Sequence, residues 1–421
     1  MDQRTNARAP SQPAAAQARA GAPSARSQYG LDILNFFVAD VQTGFGPFLA
    51  VYLTMNGWSH GTIGSVVTAS TVAGVLSQVP AGALVDWTTH KRLVVGVGLA
   101  MIGVGALMIA AWPRFLPVLA AELMLGIPGS AIRAAIAGIA LGLVGNRVLN
   151  TRVGRNHQYD SFGNALTAAA MGALGAFVSI RAPFFAAAGL CLPAIASLLM
   201  IKGKEIDYRQ ARGSTRRRSP RPARWRTLFR DRRLRVLSIG MFLFQFANAS
   251  ILLLGVERLA AEMKTSSELF TSAMVVVPET VSAVIALRLS KAANDWGRKP
   301  FLLAGFAAVL TRAVLFSLAP GPWYLVGIQA LDGITAAVIG IMLPLAVADV
   351  TRGTGRYNGA LGAVMMISLA GAAISTTAIG FLAEYIGLAT GFIALAVAAL
   401  AGFLLLWWRL PETVQASMTP E

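Results

Sequence analysis

The sequence predicts an all-α membrane protein with twelve transmembrane helices in two homologous six-helix halves. Three observations carry that prediction. Apolar residues come in runs of about twenty, the length a helix needs to cross a bilayer core. Lys and Arg fall almost entirely into alternate loops. Landmark residues of the first half recur in the second at spacings of 201–209 residues.

Composition sets the class. Of 421 residues, 55% are hydrophobic and 13% charged, with a mean hydropathy of +0.61. Soluble domains carry about a quarter charged residues. The runs do not alternate in polarity, as strands of a membrane barrel would. The expected spans are 30–54, 61–84, 93–111, 115–142, 157–179, 183–201, 235–256, 268–290, 300–319, 322–348, 357–381 and 387–408. Pro113, Pro183, Pro300 and Pro322 stand where helices restart. Residues 1–29 read as a disordered tail, 30–201 as the first half, 202–234 as a basic linker, 235–409 as the second half and 410–421 as a tail.

Charge gives orientation. With the tail inside, 30 Lys and Arg fall on one side of the membrane and four on the other. Both termini are therefore expected in the cytoplasm, in a cell inner membrane. The net charge of +17 is a topology signal on this reading and implies no nucleic-acid partner. The run around Arg216, Arg217 and Arg218 is a solvated linker with some attraction for anionic lipid. Cys191 is alone, so it forms no internal disulfide, and His60, His90 and His157 lack metal-ligand spacing. No cofactor is expected, and no nucleotide-binding loop appears.

The repeat is read from pairs. Asp86-Trp87 after span 2 recurs as Asp295-Trp296 after span 8. Glu122 and Gly126 of span 4 match Gln329 and Gly333 of span 10, and Arg155 matches Arg356. Two homologous halves can rock about a site at their interface.

The segment from Gly82 through Asp86 to Lys91 and Arg92 resembles the loop 2–3 motif of the major facilitator superfamily, with Thr89 where that family usually has its second Gly. A second copy holds Asp295, Arg298 and Lys299, in a register ambiguous by one residue, and Pro411-Glu412-Thr413 resembles the family's ending. The resemblance covers about residues 30–413. It implies that spans 1, 4, 7 and 10 line a central cavity, and that Gly82, Asp86, Lys91, Arg92, Asp295, Arg298 and Lys299 form a cytoplasmic gate. Two departures stand out. Glu122 replaces an Arg usual in drug–proton antiporters, and their Gly-rich span 5 motif is missing from 165–178.

Seven ionisable groups lie within spans: Asp40, Glu122, Arg133, Asp160, Glu279, Arg312 and Asp332. Each costs roughly 3 kcal/mol at the bilayer centre, so most must face a wet cavity or one another. Asp40, Glu122, Arg133, Gln245, Asn248, Glu279, Gln329 and Asp332 are the candidate coupling or cavity residues, with Asp160 and Asn164 at the cavity edge. Asp40 and Asp332 lead as proton sites, because no basic residue shares either helix's interior. Arg133 either pairs with an acid such as Asp160 or anchors a substrate. Asp160 is expected to cap or meet Arg155, and Arg312 to snorkel outward.

The expected activity is proton-coupled transport of a small organic solute by a monomeric chain, with no enzymatic step. Aromatic residues such as Phe45, Phe48, Tyr52, Phe242, Phe244 and Phe246 tilt the reading toward efflux of amphiphiles. Proton-linked uptake of an organic anion held by Arg133 is the alternative. A non-transporting receptor or assembly factor on the same fold is the alternative of another class.

Overall fold

A computed structural model describes residues 23–43, 49, 52–53, 55–58, 60–213, 231–262, 267–318 and 321–413. Span 1 is the helix Ala25–Thr43, span 2 His60–Trp87, span 3 Lys91–Ala111 and span 6 Ala182–Met200. Spans 4 and 5 form one unit, Phe115–Phe177. Span 7 is Arg232–Glu262, span 8 Ser267–Trp296 and span 9 Lys299–Leu318. Span 10 runs from Pro322–Ile328 through Gln329, whose own backbone is helical, into Ala330–Val350; span 11 is Tyr357–Ile386 and span 12 Leu388–Arg409. Ten helices among the described residues are long and apolar enough to cross a membrane. Span 1, described as a continuous helix only to Thr43, and the polar span 5 complete the twelve.

Two boundaries differ from expectation. Span 1 begins at Ala25, inside the stretch read as tail. Spans 4 and 5 have no loop between them: helix runs on both sides of Gly145, whose φ of 66° and ψ of 177° make the turn in a single residue. That φ is open to glycine and strained for other residues. Pro183 and Pro322 occupy the first turns of their helices, where a missing N–H costs nothing.

Each half packs about its own core. In the second, Phe244 meets Phe306 edge-on at 5.2 Å and Phe316 lies 5.7 Å from Phe392. In the first, Tyr52 packs on Phe184 and donates to the carbonyl of Ala110 at 3.1 Å. The halves meet along spans 2 and 11 and along spans 5 and 8. Small residues make the first contact possible. A Cβ on Gly82 would run into the backbone of Asn358, and one on Gly362 into the carbonyl of Gln78.

The start of span 1, the linker and the segment after span 12 converge on one end, here the basic end. Ser24 contacts Glu205 of the linker, and Glu412 contacts the turn between spans 8 and 9. Residues 203–213 of the linker are folded there. Ile206 and Ala211 are buried, Asp207 donates its N–H to Gly142, and Gly353 donates to Gly213 at 2.6 Å.

Candidate functional site

Three polar constellations emerge from this packing. The first is a cavity of about 220 Å³ between the halves. Span 1 contributes Asn35, span 4 Arg133, and span 5 His157, Asp160 and Asn164; Gly340 and Pro344 of span 10 and Tyr357 of span 11 close it. His157, Asp160 and Asn164 are three and four residues apart, so one helical face delivers all three. Glu279 of span 8 reaches this face from the other half: Asn164 Nδ2 donates to its Oε1 at 3.5 Å. The charge of Asp160 acts on Arg133, and that of Glu279 acts on Asp160. Around them Ser282 binds His157 Nε2 at 2.8 Å and accepts from Ser161 at 3.1 Å, and Gln158 donates to Ala283 at 3.2 Å. Spans 5 and 8 are thus joined by polar contacts beside two carboxylates and one guanidinium.

The second constellation lies within the second half. Arg312, fully buried, donates to Asp332 Oδ1 at 2.6 Å and to Asn248 Oδ1 at 2.7 Å. Thr335 donates to the same Asp332 oxygen at 3.1 Å, and the guanidinium lies over the Phe316 ring. A charge that deep is tolerated only in such a pair.

The third closes the basic end. Asp86 accepts the backbone N–H groups of Asn358 at 3.2 Å and Gly359 at 2.7 Å, and the Asn358 side-chain amide at 2.8 Å. It therefore caps span 11 of the other half, where unpaired N–H groups and the helix dipole favour an anion. Asn358 also donates to the carbonyl of Ala211, which ties the linker into the contact. Lys91, buried, donates to the carbonyl of Val85, and Arg92 is half-buried nearby. The repeat forms the mirror contact: Arg298 donates to Asn150 Oδ1 at 3.0 Å and pairs with Asp349 at 3.2 Å, while Asn150 donates to Asn294. Glu412 accepts the N–H groups of Arg298 and Lys299, and Lys299 Nζ reaches the carbonyl of Trp407.

Several expectations change. Asp332 is compensated by Arg312, because span 9 turns that side chain inward instead of letting it snorkel. Asp160 faces the cavity, and Arg155 binds Asp32 together with Arg152. Gln329 is buried on span 10, where its side chain donates to the Met274 carbonyl at 3.1 Å. Glu122 is buried against Ser70 of span 2 and does not line the described cavity. Gln245 is half-buried on span 7. The backbone of Asp40 is helical; its side chain lies outside the described residues. Asp295 is exposed, and Asn294 makes the contact between halves, which resolves the register of the repeat. Sequence reasoning placed Arg312 outside any site and missed His157, Asn35 and the Asp32 cluster as site residues. Spacing offers a signal for two of them, since His157 shares a face with Asp160, and Asn35 with Asp32.

The family profile described as Major Facilitator Superfamily matches residues 31–263, and that of Sugar (and other) transporter matches 201–419. The chain belongs to the major facilitator superfamily, a family of secondary transporters. Among its relatives, an uncharacterized MFS-type transporter found in two strains of Mycobacterium tuberculosis is 36% identical over 392 residues, covering 92% of this chain and 94% of the relative. The fold is shared with the transporter FucP in its outward conformation (TM-score 0.72, 12% identity, 90% of this chain and 98% of that one). It is also shared with the human organic anion transporter TETRAN (TM-score 0.69, 17% identity, 90% and 99%). A further structure of FucP, the E. coli fucose:proton symporter, gives a TM-score of 0.66 at 13% identity, with 90% and 98% covered.

Proposed function

We propose that the chain couples proton movement to transport of a small organic anion across the cell's inner membrane, with Asp160, Glu279 and Arg133 as the coupling site. The observation that carries this reading is the meeting of Glu279, from the second half, with the Asp160–Asn164 face of the first, beside Arg133. Two carboxylates and one guanidinium leave one negative charge without a counterpart. A proton that arrives together with a solute anion leaves that net charge unchanged, so the two can enter the site as a pair. With Asp160 protonated, Arg133 is free to hold an anionic group; when the proton leaves, Asp160 reclaims the guanidinium and the solute is released. Proton and anion then travel together, which favours the uptake alternative over efflux. The aromatic residues that suggested amphiphiles support efflux less, since Tyr52 and Phe244 pack inside their own halves. The engaged contacts of Asp86 and Arg298 correspond, on the positive-inside orientation, to a closed cytoplasmic side.

Proteoliposome flux of organic acids, with and without an imposed pH gradient, tests the proposal. Asp160→Asn and Glu279→Gln should each abolish gradient-driven accumulation, and Asp160→Asn should retain exchange of unlabelled for labelled solute. Arg133→Ala should lose solute binding. Full accumulation by both acid variants would overturn the assignment of the coupling site. Absence of flux for any solute, with a signalling or assembly defect in cells, would favour the receptor class.

A further inference from the structure

A groove of about 650 Å³ runs along spans 7 and 12 at the basic end, away from the cavity between the halves. The two helices are drawn together by Gly240, where a Cβ would lie 2.7 Å from Leu406 Cδ2. The groove's lining has a direction. Arg232 and Arg235 from the start of span 7 and Arg409 from the end of span 12 form its charged mouth. Ile239, Ala401 and Leu404 continue it toward the bilayer. Arg232 to Ile239 is two helical turns, about 10 Å at 1.5 Å per residue. Trp408, 72% exposed, stands beside the mouth at the level where indoles favour the membrane interface.

We propose that this groove binds an anionic phospholipid, its phosphate held by the three guanidinium groups and an acyl chain laid over Ile239, Ala401 and Leu404. None of the three arginines forms an ion pair with a described residue. Asp231, the acid next to Arg232, is occupied in capping span 7 through the N–H of Arg233 at 2.7 Å. Two of the three cations sit at a helix N-terminus, where the dipole already repels positive charge. An anion there relieves both. The depth of the groove selects the kind of anion. A phosphate ion leaves Ile239 and Ala401 uncovered, and a soluble protein partner cannot reach a wall that faces acyl chains. A molecule with an anionic head and an apolar tail matches the whole length.

Full-length protein in nanodiscs of phosphatidylcholine, with or without phosphatidylglycerol, supplies the test, read by native mass spectrometry of retained lipid. Phosphatidylglycerol should be retained over phosphatidylcholine by on the order of a hundredfold, the preference expected when three basic groups meet one headgroup. The R232Q/R235Q/R409Q variant should lose that preference. A401W, with all three arginines in place, should lose retained lipid because the groove is filled. A triple glutamine variant that keeps the preference would overturn the site and assign the selectivity to the polybasic linker. Displacement of the lipid by millimolar inorganic phosphate would overturn it in favour of a free-anion site.

Discussion

At the scale of the residue, Arg312 is the largest fully buried side chain among the described residues. Its charge is offset by Asp332, and Asn248 takes a second N–H. Removing one partner leaves the other as an uncompensated charge away from water, which costs about 3–5 kcal/mol, while replacing both is near neutral. Arg312→Met should therefore sharply lower the folded yield and melting temperature in detergent. Arg312→Met combined with Asp332→Asn should recover most of the loss, as read by thermal unfolding and size exclusion. The double variant should also keep gradient-driven accumulation if this pair is structural and coupling resides at Asp160. The inward turn of Arg312 was not legible in the sequence. Rotation of a membrane helix about its axis is weakly written, because lipid tails and protein interior are both apolar and the usual inside–outside contrast fades. The presence of a charge at residue 312 was plain; its direction was not.

At the scale of the element, the first turn of span 1 is clasped to the linker. Glu205 Oε2 accepts from the N–H and hydroxyl of Ser24 at 3.0 and 2.9 Å, and Ser27 Oγ accepts the N–H of Lys202 at 3.0 Å. Slight burial pushes the Glu205 carboxyl up. Hydrogen bonds from Ser27, Ser24 and Lys202 outweigh it and hold the group at about 2. A carboxyl depressed in the folded state contributes fully above its ordinary value and loses that contribution as pH falls toward the depressed one. The clasp should therefore be unchanged between pH 8 and pH 5 and weaken only in stronger acid. Hydrogen exchange of the Ser24 amide is the measurement: protection constant across pH 5–8 after correction for intrinsic rate, and lost in Glu205→Ala. The contribution to overall stability should be small, since the group is only half-buried and solvent screens it. The helices themselves were readable from apolar length and proline punctuation. The turn at Gly145 was not, because one glycine among 42 carries no mark that distinguishes a corner from a packing contact.

At the scale of the whole molecule, the contact between Asp86 and span 11 joins the halves at the basic end. Breaking it should change how fast the halves rock and leave the cavity as it is. Asp86→Asn keeps the side-chain shape and loses the charge, so turnover in proteoliposomes should fall while solute affinity stays within a few fold. A well-folded Asp86→Asn protein that no longer binds solute would contradict a purely gating role. Much of this contact was legible, because Gly82, Asp86 and Lys91 lie close together in the chain and bring a resemblance with them. The mirror contact was legible only to within one residue: Asn294 and Asp295 compete for the same role on paper, and only packing against Asn150 chooses between them. The cavity was half legible. Arg133, Asp160, Asn164 and Glu279 are recognisable as charged or polar groups in spans, but on sequence Asp332 outranks Asp160 because its partner sits on a different helix. Two of the three donors that Asp86 meets on the opposite half are main-chain N–H groups, which every residue type except proline supplies. The first half therefore recognises its partner largely through a feature that substitution leaves intact. Related chains need little paired change across this contact to preserve it, and the two halves are free to diverge, or to be exchanged between relatives, without losing their grip on each other.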